Sequence, residues 1–371
     1  MWSDPMIEAF RQAYQWFFNG DPPPAQPKDP HERFVPANGG VYQSRNAAVG
    51  PPPQRQAPPQ GAPPQAAPPR TAPPEEPPPR ERDPWDPPVV GRPVGTFAPR
   101  PSTAAAYRPD YVADGWATPR FVVRAASVRG YSHRNTGEPR QDDVAVAWHE
   151  PTGAVLFAVA DGVSDAPLSH IGATSACRAA IGAMTAGLDG GDGRVDWDGL
   201  LRGAAWQLCE QARLSLGLPE IDREAAERHM ATTLVAGLVR PGPDGPMVEL
   251  VQVGDSSAWI LNTRVPRYQC LTPTKFRVGD EVFTNAVVAL PRVPAVEVRH
   301  GTMSRDEVLL VGTDGFGDPL GDGDNLVGDH FSDALRTVPP VLKFANDLDF
   351  SRETWDDDRT LFALWPYGIR G

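Results

Sequence analysis

The stretch Ala154–Ser164 reads AVLFAVADGVS: seven apolar residues in a row, then Asp161-Gly162. A short unbroken apolar run that stops at a turn signal has the pattern of a strand buried on both faces. Gly162 lets the chain turn sharply, which leaves the Asp161 carboxylate at the rim of a dry core. The pattern recurs in VELVQVGDSS (248–257) and EVLLVGTDGFGD (307–318), which stop at Asp255 and Asp314. Further acids stand nearby in the chain: Asp142 and Asp143 before an apolar run, Asp318 four residues after Asp314, and Asp356-Asp357-Asp358 before the last run. Carboxylates gathered from so many strand ends repel one another unless a cation sits among them. Hard divalent ions that take oxygen ligands, Mg²⁺ or Mn²⁺, suit such a set. Two such ions roughly 3.5–4 Å apart bind a bridging water, lower its pKa and stabilise in-line displacement at phosphorus. The chemistry expected is therefore phosphoester hydrolysis with no Ser or Cys nucleophile. Six of the seven histidines, His133, His149, His170, His229, His300 and His330, are scattered and form no cluster in sequence. Asp-Gly also occurs at 114–115, 189–190, 198–199, 244–245 and 322–323 without a buried strand before it, and there it reads as a turn.

The elements that must position these acids follow from periodicity. FVVRAASVR (121–129), DVAVAW (143–148) and GAVLFAVA (153–160) read as strands, the last two joined by a tight turn at Pro151-Thr152-Gly153. Ala-rich helical stretches follow at about 169–187 and 197–216, then strands near 231–240, 247–253, 257–262 and 307–313. Helices near 330–346 and a last strand at 360–365 complete the list. Strand runs with the helices grouped between them predict an α+β fold of antiparallel sheets flanked by helices. No Gly-rich loop joins a strand to a helix as a phosphate-binding Rossmann fold requires.

Ahead of this domain the composition changes. Residues 3–20 carry a helical stripe of Ile7, Phe10, Tyr14, Phe17 and Phe18, with Ser3 or Asp4 to cap it and Gly20 to close it. It is expected either to pack on the globular part or to dock a protein partner in helix-in-groove fashion. Residues 21–100 hold 25 of the 44 prolines, so they cannot bury enough apolar surface to offset ordering entropy. The expected division is a short amphipathic helix over 1–20, a Pro-rich disordered linker over 21–119 and a catalytic domain over 120–371. The net charge of −12 disfavours a nucleic-acid partner. Three widely spaced cysteines, Cys177, Cys209 and Cys270, fit neither a disulfide framework nor a zinc site, and no apolar run reaches the ~20 residues of a membrane span. A cytoplasmic location is expected.

Taken together, GYSHRNTGEPRQDD (130–143), VLFAVADGVSD (155–165), ATTLVAGLV (231–239), VQVGDSSAWIL (251–261), LLVGTDGFGD (309–318) and DDRTLFAL (357–364) resemble the protein phosphatase 2C family, the metal-dependent Ser/Thr phosphatases. The Ser-His-Arg segment ahead of Gln-Asp is similar to a bacterial branch. The resemblance implies a sandwich of two antiparallel sheets with helices outside and a two-metal site at one end. By the same resemblance Asp142, Asp161 with the Gly162 carbonyl, Asp314 and Asp357 are metal ligands. Asp318 would hold metal-bound water, and Asp255 would serve a third, weaker ion. Arg134, with Arg140 in reserve, would grip the phosphate through its guanidinium fork. Gln141 stands where many members have Glu. Val163, Ser164-Asp165, Ala231 and the Pro-Thr-Lys after Thr272 also depart from the family pattern. The implied function is Mg²⁺- or Mn²⁺-dependent hydrolysis of phosphoserine and phosphothreonine on proteins by a hydroxide activated between two ions. The substrate would be a phosphoprotein made by a Ser/Thr kinase. The departures motivate the alternative of an inactive phosphatase-like module that binds phosphoproteins or acts as a scaffold.

Overall fold

The computed structural model describes residues 83–103, 105–190, 193–272, 288–295 and 297–367. The helix expected over 1–20 and most of the linker lie outside them. Eleven strands are described: β1 (Tyr111–Ala117), β2 (Phe121–Val128), β3 (Asp143–His149), β4 (Ala154–Ala160), β5 (Leu234–Arg240), β6 (Met247–Val253), β7 (Ser257–Asn262), β8 (Arg267–Cys270), β9 (Arg299–Thr302), β10 (Glu307–Gly312) and β11 (Arg359–Pro366). They form one six-stranded sheet in the order β1-β2-β11-β10-β7-β8 and one five-stranded sheet in the order β3-β4-β5-β6-β9. Every pairing is antiparallel.

Period-two alternation explains how the sheets stack. In β4, Val155, Phe157 and Val159 face the other sheet together with Val235, Leu250, Ile260, Leu309, Val311, Phe362 and Leu364. Phe157 and Phe362 stack across the two sheets with ring centroids 4.8 Å apart. The alternate β4 residues, Ala154, Leu156, Ala158 and Ala160, pack outward against α2 (Ser169–Asp189) and α3 (Trp197–Leu216). On the opposite outer face Val308, Leu310, Leu361 and Ala363 meet α5 (Asp314–Leu320), α6 (Leu326–Ala334) and α7 (Val341–Leu348). Two short helices, α1 (Tyr131–Thr136) and α4 (Arg223–Met230), complete the set. The result is the α+β sandwich that strand grouping predicts, with helices on both outer faces. The helical pattern near 330–346 resolves into α6 and α7, separated where Pro339-Pro340 cannot continue a helix.

The boundary expected at 119/120 falls too late. β1 pairs with β2 along its whole length, Val90 is buried in the outer core, and Val89 bridges Ser351. Proline content hides this segment, because β1 itself shows little apolar alternation. Its Asp114-Gly115, expected as a turn, lies inside the strand. A Cβ at 115 would stand 2.8 Å from both Val341 Cγ2 and Arg124 Cδ, so glycine is needed for α7 to press on the strand. Asp198-Gly199 likewise is no turn: it opens α3, with Asp196 Oδ1 accepting the Gly199 N–H at 2.9 Å.

Candidate metal centre

Both sheets end their pairing at one end of the sandwich, and the acids stand just beyond. The register Asp143↔Ala160 between β3 and β4 sets Asp142 opposite Asp161 one step past the ladder. In the other sheet Gly312 pairs with Leu361, and the Thr313 N–H donates to the Thr360 carbonyl at 3.2 Å. That pairing carries Asp314 and the Asp356–Asp358 run to the same end. Thr313 joins the two sheets. Its hydroxyl donates to Asp142 Oδ2 at 2.7 Å and accepts the Thr360 N–H at 3.0 Å.

Local backbone holds each acid in place. The Asp161 N–H donates to Thr233 Oγ1 at 2.9 Å, and its carbonyl accepts from the Thr233 N–H and the Thr232 hydroxyl, each at 2.8 Å. Gly162 bridges Thr232, and a Cβ there would stand 2.7 Å from Ser169 Cβ at the start of α2. Asp314 is the first residue of α5, where a carboxylate favours the helix dipole. A Cβ on the next residue, Gly315, would lie 1.9 Å from the Asp358 carbonyl oxygen. Glycine at 315 is thus what lets the first turn of α5 touch the Asp357–Arg359 segment and set Asp314 beside Asp357.

The acids act on one another's charge. Burial, then the charge of Asp358, pushes Asp142 well above the ordinary carboxylate range; Asp357 and Asp314 add to this, while the Thr313 hydrogen bond opposes it. Asp142 is 1% exposed. Asp161 is pushed up the same way, by burial, by Asp142, Asp314 and Asp357, and by a hydrogen bond shared with Asp314. Asp357, open to solvent on one side, is raised to about 6 by burial of the rest of the group, Asp358 and Asp314. Asp358 behaves oppositely. Burial works against its charge, but His133 Nδ1 at 2.9 Å and the Gly130 N–H at 2.6 Å, together with the Gln141 N–H, hold it low. Those donors occupy both carboxylate oxygens, so Asp358 fastens the loop bearing Asp142 to the segment bearing Asp357.

Asp142, Asp161, Asp314 and Asp357 therefore lie within electrostatic reach of one another. Such a set, all oxygen and all mutually repelling, fits a hard divalent cation. Beside Asp142, the buried Gln141 Oε1 has no hydrogen-bond partner and offers one more oxygen donor. Asp318 lies one turn along α5 from Asp314. Asp255 precedes Ser256, whose hydroxyl meets Thr233 Oγ1 at 2.7 Å, the same atom that accepts the Asp161 N–H.

The two arginines expected to grip phosphate are both engaged by partners within the fold. Arg134 is 7% exposed and spends its fork on Asp349, with Nη1 to Oδ2 at 3.1 Å and Nη2 to Oδ1 at 2.9 Å. Its guanidinium is also packed against the rings of Tyr111 and Tyr131. Arg140, 2% exposed, donates to Ser127 Oγ and to the carbonyls of Pro109 and Asp142. The forks of both are thus occupied within the fold, with Arg134 Nε left as a buried donor without a partner. His133, dismissed as scattered, belongs to the site: one atom each of His133, Asp357 and Asp358 lie within 4.8 Å of one another. Burial would lower its pKa, but the hydrogen bond and charge of Asp358, with Asp357 and Asp142 beyond, raise it to about 9. The spacing of Ser-His ahead of Gln-Asp was the available signal.

Val163 donates its N–H to the Ala231 carbonyl at 3.0 Å and packs with Ala166, Ala231 and Ala289 in a small apolar cluster. The altered residues after Thr272 lie outside the described residues. A sequence profile described as protein phosphatase 2C matches residues 129–348. The chain belongs to the protein phosphatase 2C family. The match to protein phosphatase 2C spans Asp142, Asp161, Asp255, Asp314 and Asp318 and stops short of Asp357. Among solved structures, a bacterial serine phosphatase is similar at 16% identity and a TM-score of 0.48, over 67% of this chain and 99% of that one. The catalytic domain of the serine/threonine protein phosphatase PstP, in complex with two manganese ions, is similar at 18% identity and a TM-score of 0.46, over 67% and 99%. RsbX in complex with magnesium is similar at 9% identity and a TM-score of 0.43, over 69% and 100%. No curated protein matches the chain.

Proposed function

We propose that this protein phosphatase 2C member hydrolyses phosphoserine and phosphothreonine on proteins, using Mg²⁺ or Mn²⁺ held by Asp142, Asp161, Asp314 and Asp357. The observation that supports it is the convergence of these four carboxylates, from both sheets, at one end of the sandwich. Divalent ions bound there supply Lewis acidity, lowering the pKa of water and neutralising charge on phosphoryl oxygens. The chain's own residues supply the frame. Asp142 and Asp161 face each other from adjacent strands of one sheet; Asp314 and Asp357 come from adjoining segments of the other. Thr313 keeps one oxygen of Asp142 engaged and so orients the other. Asp358, charged and gripped by His133, Gly130 and Gln141, keeps Asp142 and Asp357 from drifting apart.

The test is turnover of a phosphothreonine peptide by the full chain, with Mn²⁺ and with chelator. Turnover that needs the metal in wild type and vanishes in Asp314→Asn is the expected result. Turnover that survives chelation, or that Asp314→Asn leaves intact, would refute the site.

A further inference from the structure

Arg108 lies just ahead of β1, in the stretch that composition assigns to the linker. Its side chain is nonetheless 8% exposed and fully engaged. Nε donates to the carbonyl of Arg140 and Nη2 to the carbonyl of Asp142. Nη1 donates to Thr174 Oγ1 at 3.0 Å on α2 and lies 3.4 Å from Asp143 Oδ2. The turn that presents it is held in its own right. The Arg108 N–H donates to the Ala105 carbonyl at 2.9 Å, and the Asp110 carbonyl accepts the Arg129 N–H at 2.8 Å.

The β3–β4 ladder begins at Asp143↔Ala160, so residues 140–142 have no sheet partner to fix them. Buried carbonyls outside a ladder need other donors. A planar guanidinium presents its donors in a fixed fork, so one side chain can set the spacing of two carbonyls and a carboxylate at once. We infer that Arg108 is a positioning residue for the metal centre: it reaches in from before the sheet and fixes the backbone of 140–143, so that Asp142 meets Asp161 and Asp314. Its link to metal rests on the function proposed above; its hold on the loop does not.

Two measurements on the full chain separate these. Hydrogen exchange in chelator reads the loop directly. Arg108→Ala is expected to speed exchange in peptides covering 140–143 by about tenfold or more while leaving β5 and β10 protected. Calorimetry with Mn²⁺ reads the consequence, an affinity about 10–100-fold weaker, the usual scale for a residue that orients a ligand. Arg108→Lys keeps the charge without the fork and is expected to recover only part of both. It also carries the test if Arg108→Ala does not fold. Wild-type exchange at 140–143 in the folded variant overturns the inference, as does full recovery of both readouts by lysine. A wild-type chain that binds no Mn²⁺, with the loop still loosened by Arg108→Ala, removes the proposed metal function and leaves the positioning role standing.

Discussion

At the residue scale, each side chain at the centre is defined by what its neighbours do to its charge. Asp314 sits among Asp142, Asp161 and Asp357 and acts electrostatically on all three. Replacing it with Asn is expected to weaken Mn²⁺ binding and lower turnover by more than about 100-fold, beyond the range for a residue that only orients a ligand. Titration calorimetry and peptide assays check this. His133 gives a second expectation. Its native pKa of about 9 lies above the ordinary 6.5, so the protonated ring stabilises the fold fully below pH 6.5 and that contribution is lost as pH rises through 9. Asp357 has a shift of the same sign, from 3.8 to about 6, so the metal-free fold also loses stability as pH rises through 6. Asp142 and Asp161 are shifted the same way, so in chelator the melting temperature should fall progressively as pH rises from the acid range through 9. His133→Gln should flatten the alkaline end of that fall, and Mn²⁺ the part that belongs to the carboxylates.

At the scale of elements, the centre depends on how closely α5 approaches the start of β11. A Cβ at 315 would meet backbone, the Asp358 carbonyl at 1.9 Å, which cannot yield as a side chain end can. Gly315→Ala is expected to cost about 1–3 kcal/mol, typical of forced overpacking, and to abolish Mn²⁺ binding because Asp314 and Asp357 are pushed apart. Phe362→Ala makes the contrast. It empties the stack with Phe157 between the sheets and should cost about 3–5 kcal/mol. Yet it removes nothing at the rim, so Mn²⁺ affinity measured well below its melting point should stay near wild type. Equal loss of metal binding in both variants would mean that the centre follows global stability and not the α5 contact.

At the scale of the molecule, the folded unit begins before the sequence-based boundary. β1 covers the edge of β2, Asp110 pairs with Arg129 at 3.0 Å, and Pro109 accepts from Arg140. A chain starting at residue 83 is expected to melt cooperatively and bind Mn²⁺ as the full chain does. One starting at 120 leaves β2 as a bare edge and buried Arg129 and Arg140 short of partners; it should aggregate or melt far lower. Size-exclusion chromatography and thermal melts distinguish the two. Among the described residues no helix is long and apolar enough to cross a membrane.

What could be read from sequence was whatever burial imprints locally. An apolar run ending in Asp-Gly marks a buried strand and the acid beyond it, because both consequences act within a few residues. Asp161 and Asp314 were legible on that ground, and the order of the motifs added Asp142 and Asp357. The partner of an arginine carries no such imprint. Arg134 has the right type and neighbourhood for phosphate, but its fork is taken by Asp349, 215 residues away in the chain. His133 looked isolated until β11 brought Asp357 and Asp358 to it, and Arg108 looked like linker until the residues ahead of β3 put their carbonyls within its reach. Hydrogen bonds and charges are satisfied by whatever the packed sheets place within reach. That is why tertiary structure alone decided which cations brace the acids and where the folded chain begins.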